Sequence, residues 1–78
     1  MPTVLRDGPY SFVFFSSDAG EPVHIHAKRD RKFVKFWLEP VRYAKSQGFA
    51  DHELKTVERL VAKHESTLVE AWHDHFGA

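Results

Sequence analysis

The spacing of the apolar residues changes about half-way along this 78-residue chain. Up to residue 38 they alternate with polar residues or form short aromatic and β-branched runs, as in β-strands. Residues 10–15 are apolar at both parities, which predicts a central strand covered on both sides. From residue 54 they recur every three or four positions, as in an amphipathic helix. We therefore predict a single α+β domain over residues 1–78, with an antiparallel three- or four-stranded sheet packed against two or three C-terminal helices.

Residues 23–28 and 33–38 form a predicted β-hairpin joined by Arg29-Asp30-Arg31-Lys32. If the turn centres on Asp30 and Arg31, the numbers of opposed residues sum to 61. This register places only apolar pairs on one face, and a shift by one residue would mix them with polar residues. The apolar pairs are Val23 with Leu38, Ile25 with Phe36, and Ala27 with Val34. The opposite face pairs His24 with Trp37, His26 with Lys35, and Lys28 with Phe33.

Two helical segments are predicted after the hairpin. The first covers residues 39–47, because Glu39-Pro40 can open a helix and Gly48 can stop one. The second runs from about residue 50 to residue 76 and carries the long apolar stripe. A break near residues 65–67 would divide it into two shorter helices, and the pattern leaves this alternative open.

The composition limits the class of protein. The chain has no cysteine, which excludes disulfides and thiolate chemistry and favours a reducing compartment. No apolar run approaches the length of a membrane span, so we predict a cytoplasmic protein that does not bind membranes. Residues 1–48 hold eight Lys or Arg against five Asp or Glu, whereas residues 49–78 hold three against six. This asymmetry favours a polyanionic or acidic partner, although an ordinary solvated surface would show it too.

The segment His24-Ile25-His26 contains the side chains best suited to catalysis or metal binding in this sequence. Residues two apart on a strand share a face, so the two imidazoles point to the same side. They could act as a general acid and base, and we predict His24 and His26 as the catalytic residues. No cofactor is assigned. A metal site is an alternative that needs a further ligand, with candidates His73, Asp74, His75 and Glu39. Two histidines on a solvated sheet face are the other alternative.

Basic and aromatic residues surround the two histidines on the predicted hairpin. Cations can hold phosphates and rings can stack on bases, which suits single-stranded RNA. The predicted nucleic-acid-binding residues are Lys28, Arg29, Arg31, Lys32, Lys35 and Trp37. The alternative is that the helices or a second copy of the chain cover this face, in which case the rings are structural.

Several segments together resemble the bacterial domain of unknown function 4160 family. They are Met1-Pro2-Thr3-Val4-Leu5-Arg6, Glu21-Pro22-Val23-His24-Ile25-His26, Lys35-Phe36-Trp37-Leu38-Glu39-Pro40-Val41, Glu53-Leu54 and Glu70-Ala71-Trp72. The resemblance covers nearly the whole chain, and the proline-led His-x-His and the Trp-Leu-Glu-Pro segment are its specific parts. The chain departs from the pattern at Val23, where the family often has a second proline, and at Ala50, where a serine-like cap is common.

The resemblance implies that the protein is one component of a small two-gene module similar to a toxin–antitoxin pair. It therefore implies a small protein partner encoded nearby, and an RNA target. Our leading prediction is a toxin-like protein that binds RNA through the basic and histidine-bearing sheet face, with cleavage by His24 and His26 left open. One alternative is a non-catalytic interaction module that binds a partner or a second copy. The other is a metal-binding His-x-His protein.

Overall fold

The computed structural model describes residues 3–15 and 20–77. Five strands form one antiparallel sheet in which the spatial order of the strands follows the chain. Two helices come after the sheet. The elements are β1 (Thr3–Asp7), β2 (Tyr10–Val13), β3 (His24–Arg29), β4 (Lys32–Trp37), β5 (Arg42–Gln47), α1 (Asp51–Lys63) and α2 (Glu65–Phe76). The α+β class is confirmed, with five strands instead of three or four.

The β3–β4 hairpin has the predicted register at each of its pairs, from His24 opposite Trp37 to Arg29 opposite Lys32. Its apolar face is core: Ile25, Ala27, Val34 and Phe36 are at most 1% exposed. Burying an aliphatic or aromatic side chain of this kind stabilises a fold by roughly 1.5–3 kcal/mol. The alternation of apolar and polar residues therefore determines which way this hairpin faces.

The predicted helix over residues 39–47 is wrong. A turn with a cis Glu39-Pro40 peptide bond leads into β5, which pairs with β4 from Arg42 opposite Trp37 to Gln47 opposite Phe33. The central residues of β4, Val34 to Phe36, are buried, so the N–H and C=O groups along its outer edge need partners. Pairing with residues 42–47 satisfies them, whereas a helix would satisfy only its own backbone.

The helices cover the face of the sheet that carries the apolar pairs. The ring centroid of Phe14 lies 5.3 Å from that of Trp72 on α2, and Val57 and Val61 of α1 have no exposed surface. The long stripe is divided at His64, where His64 Nε2 lies 2.8 Å from Oδ2 of Asp7 at the end of β1. Within the described ranges, neither helix is long and apolar enough to cross a membrane.

Candidate nucleic-acid interface

The second face of the sheet, which we call the basic sheet face, is turned away from the helices. Side chains of directly opposed residues share a face, so the strand register orders this surface into rows. The polar row contains Arg6, Ser11, Lys28, Phe33 and Gln47, in the order β1 to β5. The histidine row beside it contains Thr3, Val13, His26, Lys35 and Lys45. Neither row contains an acidic residue.

A depression of about 350 Å³ lies between the two rows. It is lined by Phe15, His26, Lys28, Phe33 and Lys45, and we call it the row pocket. The ring centroids of Phe15 and His26 are 4.5 Å apart with an edge-on geometry, so Phe15 holds the imidazole of His26 at the wall of the pocket. The pocket thus combines two ammonium groups, one imidazole and two phenyl rings.

His24 and His26 differ in their access to this pocket, although both start on the predicted side of β3. His26 is 8% exposed and lines the pocket, whereas His24 has no exposed surface. β2 pairs with β3 only as far as Val13 opposite His26, so Trp72 of α2 can reach His24 past the end of β2. The His24 ring centroid lies 5.0 Å from that of Trp72 and 5.6 Å from that of Trp37.

His24 forms a hydrogen bond to the backbone of its own chain. Its Nδ1 lies 2.8 Å from the carbonyl oxygen of Pro22. A carbonyl oxygen only accepts, so Nδ1–H is the donor. The structure therefore brings His26 to the surface pocket and holds His24 in the core, 5.2 Å from His26 between ring centroids.

The predicted basic residues divide into two groups by their partners. Glu53 of α1 forms ion pairs with Arg29 and Lys32, which places both cations on the helix-covered face. Lys35 is 9% exposed, forms an ion pair with Glu21, and has its Nζ 4.3 Å from the ring centroid of Trp37. Because carboxylates already compensate these three cations, they have less charge to offer a polyanion.

Lys28 and Arg31 belong to the second group. Lys28 is half-buried at the edge of the row pocket, and Arg31 is exposed in the β3–β4 turn. No carboxylate of residues 3–15 and 20–77 lies at ion-pair distance from either of them. Of the six predicted nucleic-acid-binding residues, Lys28 is thus the one that lines the pocket.

Glu53 is the centre of a polar cluster beneath the turn. The Tyr10 hydroxyl donates to its Oε2 at 2.8 Å, beside the Arg29 guanidinium. The hydrogen bond from Tyr10, together with Arg29, lowers the pKa of the Glu53 carboxyl, and burial raises the pKa of Tyr10. This cluster ties α1 to the sheet, which is a structural role for Arg29.

Sequence reasoning missed Lys45 as a pocket residue, because the segment that contains it was predicted as a helix. In β5 Lys45 lies directly opposite Lys35, and its side chain is exposed at the pocket. The seven residues between Pro40 and Gly48 also fit the length of a strand. The proline and the glycine at the two ends of this segment were the sequence features that could have identified it as a strand.

The metal alternative finds little geometric support. Among the residues that the structure describes, no group of three or more His, Asp or Glu side chains is placed to hold a metal ion. Of the candidate further ligands, Glu39 and His73 line a groove along α2. Asp74 and His75 line a depression with Val4 and Phe14.

The fold is a small α+β domain in which helices cover one face of a five-stranded sheet. The other face carries clustered cations and aromatic rings, which makes this surface compatible with a polyanion. The chain belongs to the family described as domain of unknown function (DUF4160), whose model matches residues 10–73. The matched region contains all five residues of the row pocket. No curated protein and no solved structure matches the chain.

Proposed function

We propose that the protein binds single-stranded RNA on the basic sheet face. The observation that carries this proposal is the row pocket, where Lys28 and Lys45 stand beside the rings of Phe15, His26 and Phe33. Base–aromatic stacking contributes about 1–3 kcal/mol per base, and cations near the ring hold the flanking phosphates. Since a pocket of about 350 Å³ is small and shallow, it suits one unstacked base at a time.

Single-stranded RNA fits this surface better than a duplex does. In a duplex the faces of the bases are stacked on each other and only phosphates, sugars and base edges are available. Phe33 lies on β4, opposite Lys28 on one side and Gln47 on the other, and its ring can stack only on a base whose flat face is free. The lysines alone would bind any polyanion.

Binding without cleavage is the simplest activity of this geometry. Cleavage by a general acid and base needs two proton-transfer groups within reach of the same phosphate. His26 lines the pocket, but His24 is fully buried and contacts the rings of Trp37 and Trp72. RNA in the pocket would meet one imidazole of the predicted pair. Inhibition of growth by RNA binding, as in a toxin, remains a prediction.

Fluorescence anisotropy with a labelled 12-nucleotide RNA of mixed sequence tests the proposal. The double variant Lys28→Gln/Lys45→Gln removes the two pocket cations, and Lys55→Gln/Arg59→Gln removes two exposed cations from α1. We expect the first variant to lose at least tenfold in affinity and about 1.4 from the slope of log K against log salt, at about 0.7 per lost phosphate contact.

The control variant has the same net charge, so it separates the pocket from the overall charge of the protein. It should bind within about twofold of the wild type. Equal losses in the two double variants would mean that the protein attracts RNA only through its net charge, and the pocket proposal would be abandoned.

A second candidate function is the binding of a protein partner with a basic segment. A groove of about 650 Å³ runs between the β4–β5 turn and α2. Val69 contributes apolar surface to it, and Glu39, Glu65 and Glu70 make it acidic, which complements Lys or Arg side chains. Light scattering with the product of the neighbouring gene tests this candidate. A complex that survives Glu65→Gln/Glu70→Gln unchanged would rule out the groove as its binding surface.

A further inference from the structure

Arg6 of β1 lies in the same cross-strand row as Lys28 and Phe33 of the row pocket, although Arg6 is far from both of them in the sequence. Arg6 is opposite Ser11, Ser11 is opposite Lys28, and Lys28 is opposite Phe33. The same ladder continues to Gln47 on β5. These five side chains form the polar row, which crosses the whole sheet at right angles to its strands.

The length of the polar row can be obtained from the spacing of strands. Neighbouring strands lie about 4.8 Å apart, so Arg6 stands roughly 10 Å from Lys28, and Gln47 roughly 10 Å beyond it on the other side. A sheet face of similar width holds about two or three stacked bases of a single strand. Arg6 is therefore too far away to touch a nucleotide seated in the row pocket, but it is within reach of a phosphate further along the strand, beyond the nucleotide next to the pocket.

The charge of Arg6 is available to a ligand. Its side chain is exposed, and no carboxylate of the described residues lies at ion-pair distance from it. The neighbouring acidic residue Asp7 points to the helix side, where it pairs with His64 and Lys63. Arg6 thus differs from Arg29, whose charge is held by Glu53.

We propose that a single RNA strand crosses the sheet along the polar row, from the row pocket on β3, β4 and β5 to Arg6 on β1, and that Arg6 binds a phosphate outside the pocket. This inference rests on the proposed function and extends it from one nucleotide to a path. In this path Lys28 is the central cation, and Ser11 and Gln47 are neutral hydrogen-bonding groups along the strand.

The dependence of affinity on oligonucleotide length tests the path. Labelled mixed-sequence RNAs of two, four, six and eight nucleotides are titrated with the wild type, Arg6→Gln and Lys28→Gln. We expect Arg6→Gln to leave binding of the dinucleotide unchanged and to weaken binding of the six- and eight-nucleotide RNAs by about three- to tenfold, the range of one lost hydrogen bond at an exposed site. Lys28→Gln should weaken binding at every length.

Two further variants serve as controls. Arg6→Lys keeps the charge and should restore the salt dependence that Arg6→Gln loses, about 0.7 in the slope. Arg59→Gln removes an exposed cation on α1 and should change nothing at any length. Matching circular dichroism spectra for all variants would show that the exposed Arg6 side chain is not needed for folding.

The outcomes separate the path from the function. If Lys28→Gln weakens binding and Arg6→Gln behaves like Arg59→Gln at every length, the path is refuted and RNA binding at the pocket stands. If Arg6→Gln weakens the dinucleotide and the octanucleotide equally, Arg6 acts through overall charge and the path is also refuted. If the wild type binds none of the RNAs, the proposed function fails and the path fails with it.

Discussion

Replacement of His24 by alanine should destabilise the fold without removing RNA binding. The imidazole of His24 is fully buried, contacts the rings of Trp37 and Trp72, and donates a hydrogen bond to Pro22. The hydrogen bond contributes about 1 kcal/mol, and each aromatic contact about 0.5–1.5 kcal/mol. The sum is about 3 kcal/mol, which in a domain of this size lowers the melting temperature by roughly 12–24 °C.

Thermal unfolding followed by circular dichroism measures this loss, and RNA anisotropy at a temperature well below the transition measures function. His26→Ala is the matched control, because it removes the same side chain from the wall of the row pocket. We expect the opposite pattern for it, with a smaller loss of stability and weaker RNA binding.

Two results would refute this reasoning. An unchanged melting temperature for His24→Ala would mean that the buried imidazole contributes nothing to packing. A folded His24→Ala protein that has lost RNA binding or an RNA-cleaving activity would show that His24 acts on the ligand, as the sequence-based prediction of a catalytic pair has it.

Three further predictions concern stability. Ile25→Ala should lower the free energy of unfolding by about 2–4 kcal/mol in urea titrations, because it opens a cavity where Ile25 has no exposed surface, while Ile25→Val should cost about 1 kcal/mol. Glu53→Gln should lower the melting temperature at neutral pH. Because the folded pKa of Glu53 lies below its ordinary 4.5, its contribution is present above pH 4.5 and is lost as the pH falls through the folded value, so the melting curves of wild type and Glu53→Gln should converge in acid. Gly48→Ala should cost about 1–3 kcal/mol, because Gly48 has a φ of +94° and a Cβ there would lie 2.9 Å from Cγ of Lys32; an unchanged melting temperature would contradict this.

The cations of this protein show why a count of basic residues is a poor guide to a polyanion site. Arg29, Lys32 and Lys35 come from the most basic stretch of the sequence, yet each forms an ion pair with a glutamate. Lys28 and Lys45 carry no such partner among the described residues and line the row pocket together. The proposed site therefore depends on which carboxylates the fold brings close, and less on local charge density.

The sequence by itself determined the hairpin and the side of β3 to which its histidines point. A period of two places alternate side chains on opposite faces, and only one register pairs Ile25 with Phe36 and Ala27 with Val34. The long helical stripe was equally readable, because apolar residues spaced by three and four from residue 54 to residue 76 line one side of a helix and would be scattered over both faces of a strand.

Only the tertiary structure decided that residues 42–47 form a strand, and that His24 is buried while His26 lines the pocket. That segment has a weak pattern of its own, and it became β5 because the outer edge of β4 needed hydrogen-bond partners. His24 is buried because Trp72, 48 positions away, reaches it past the end of β2, while His26 keeps its place at the pocket. Contacts between residues so far apart depend on the packing of helix against sheet, and no local pattern encodes them.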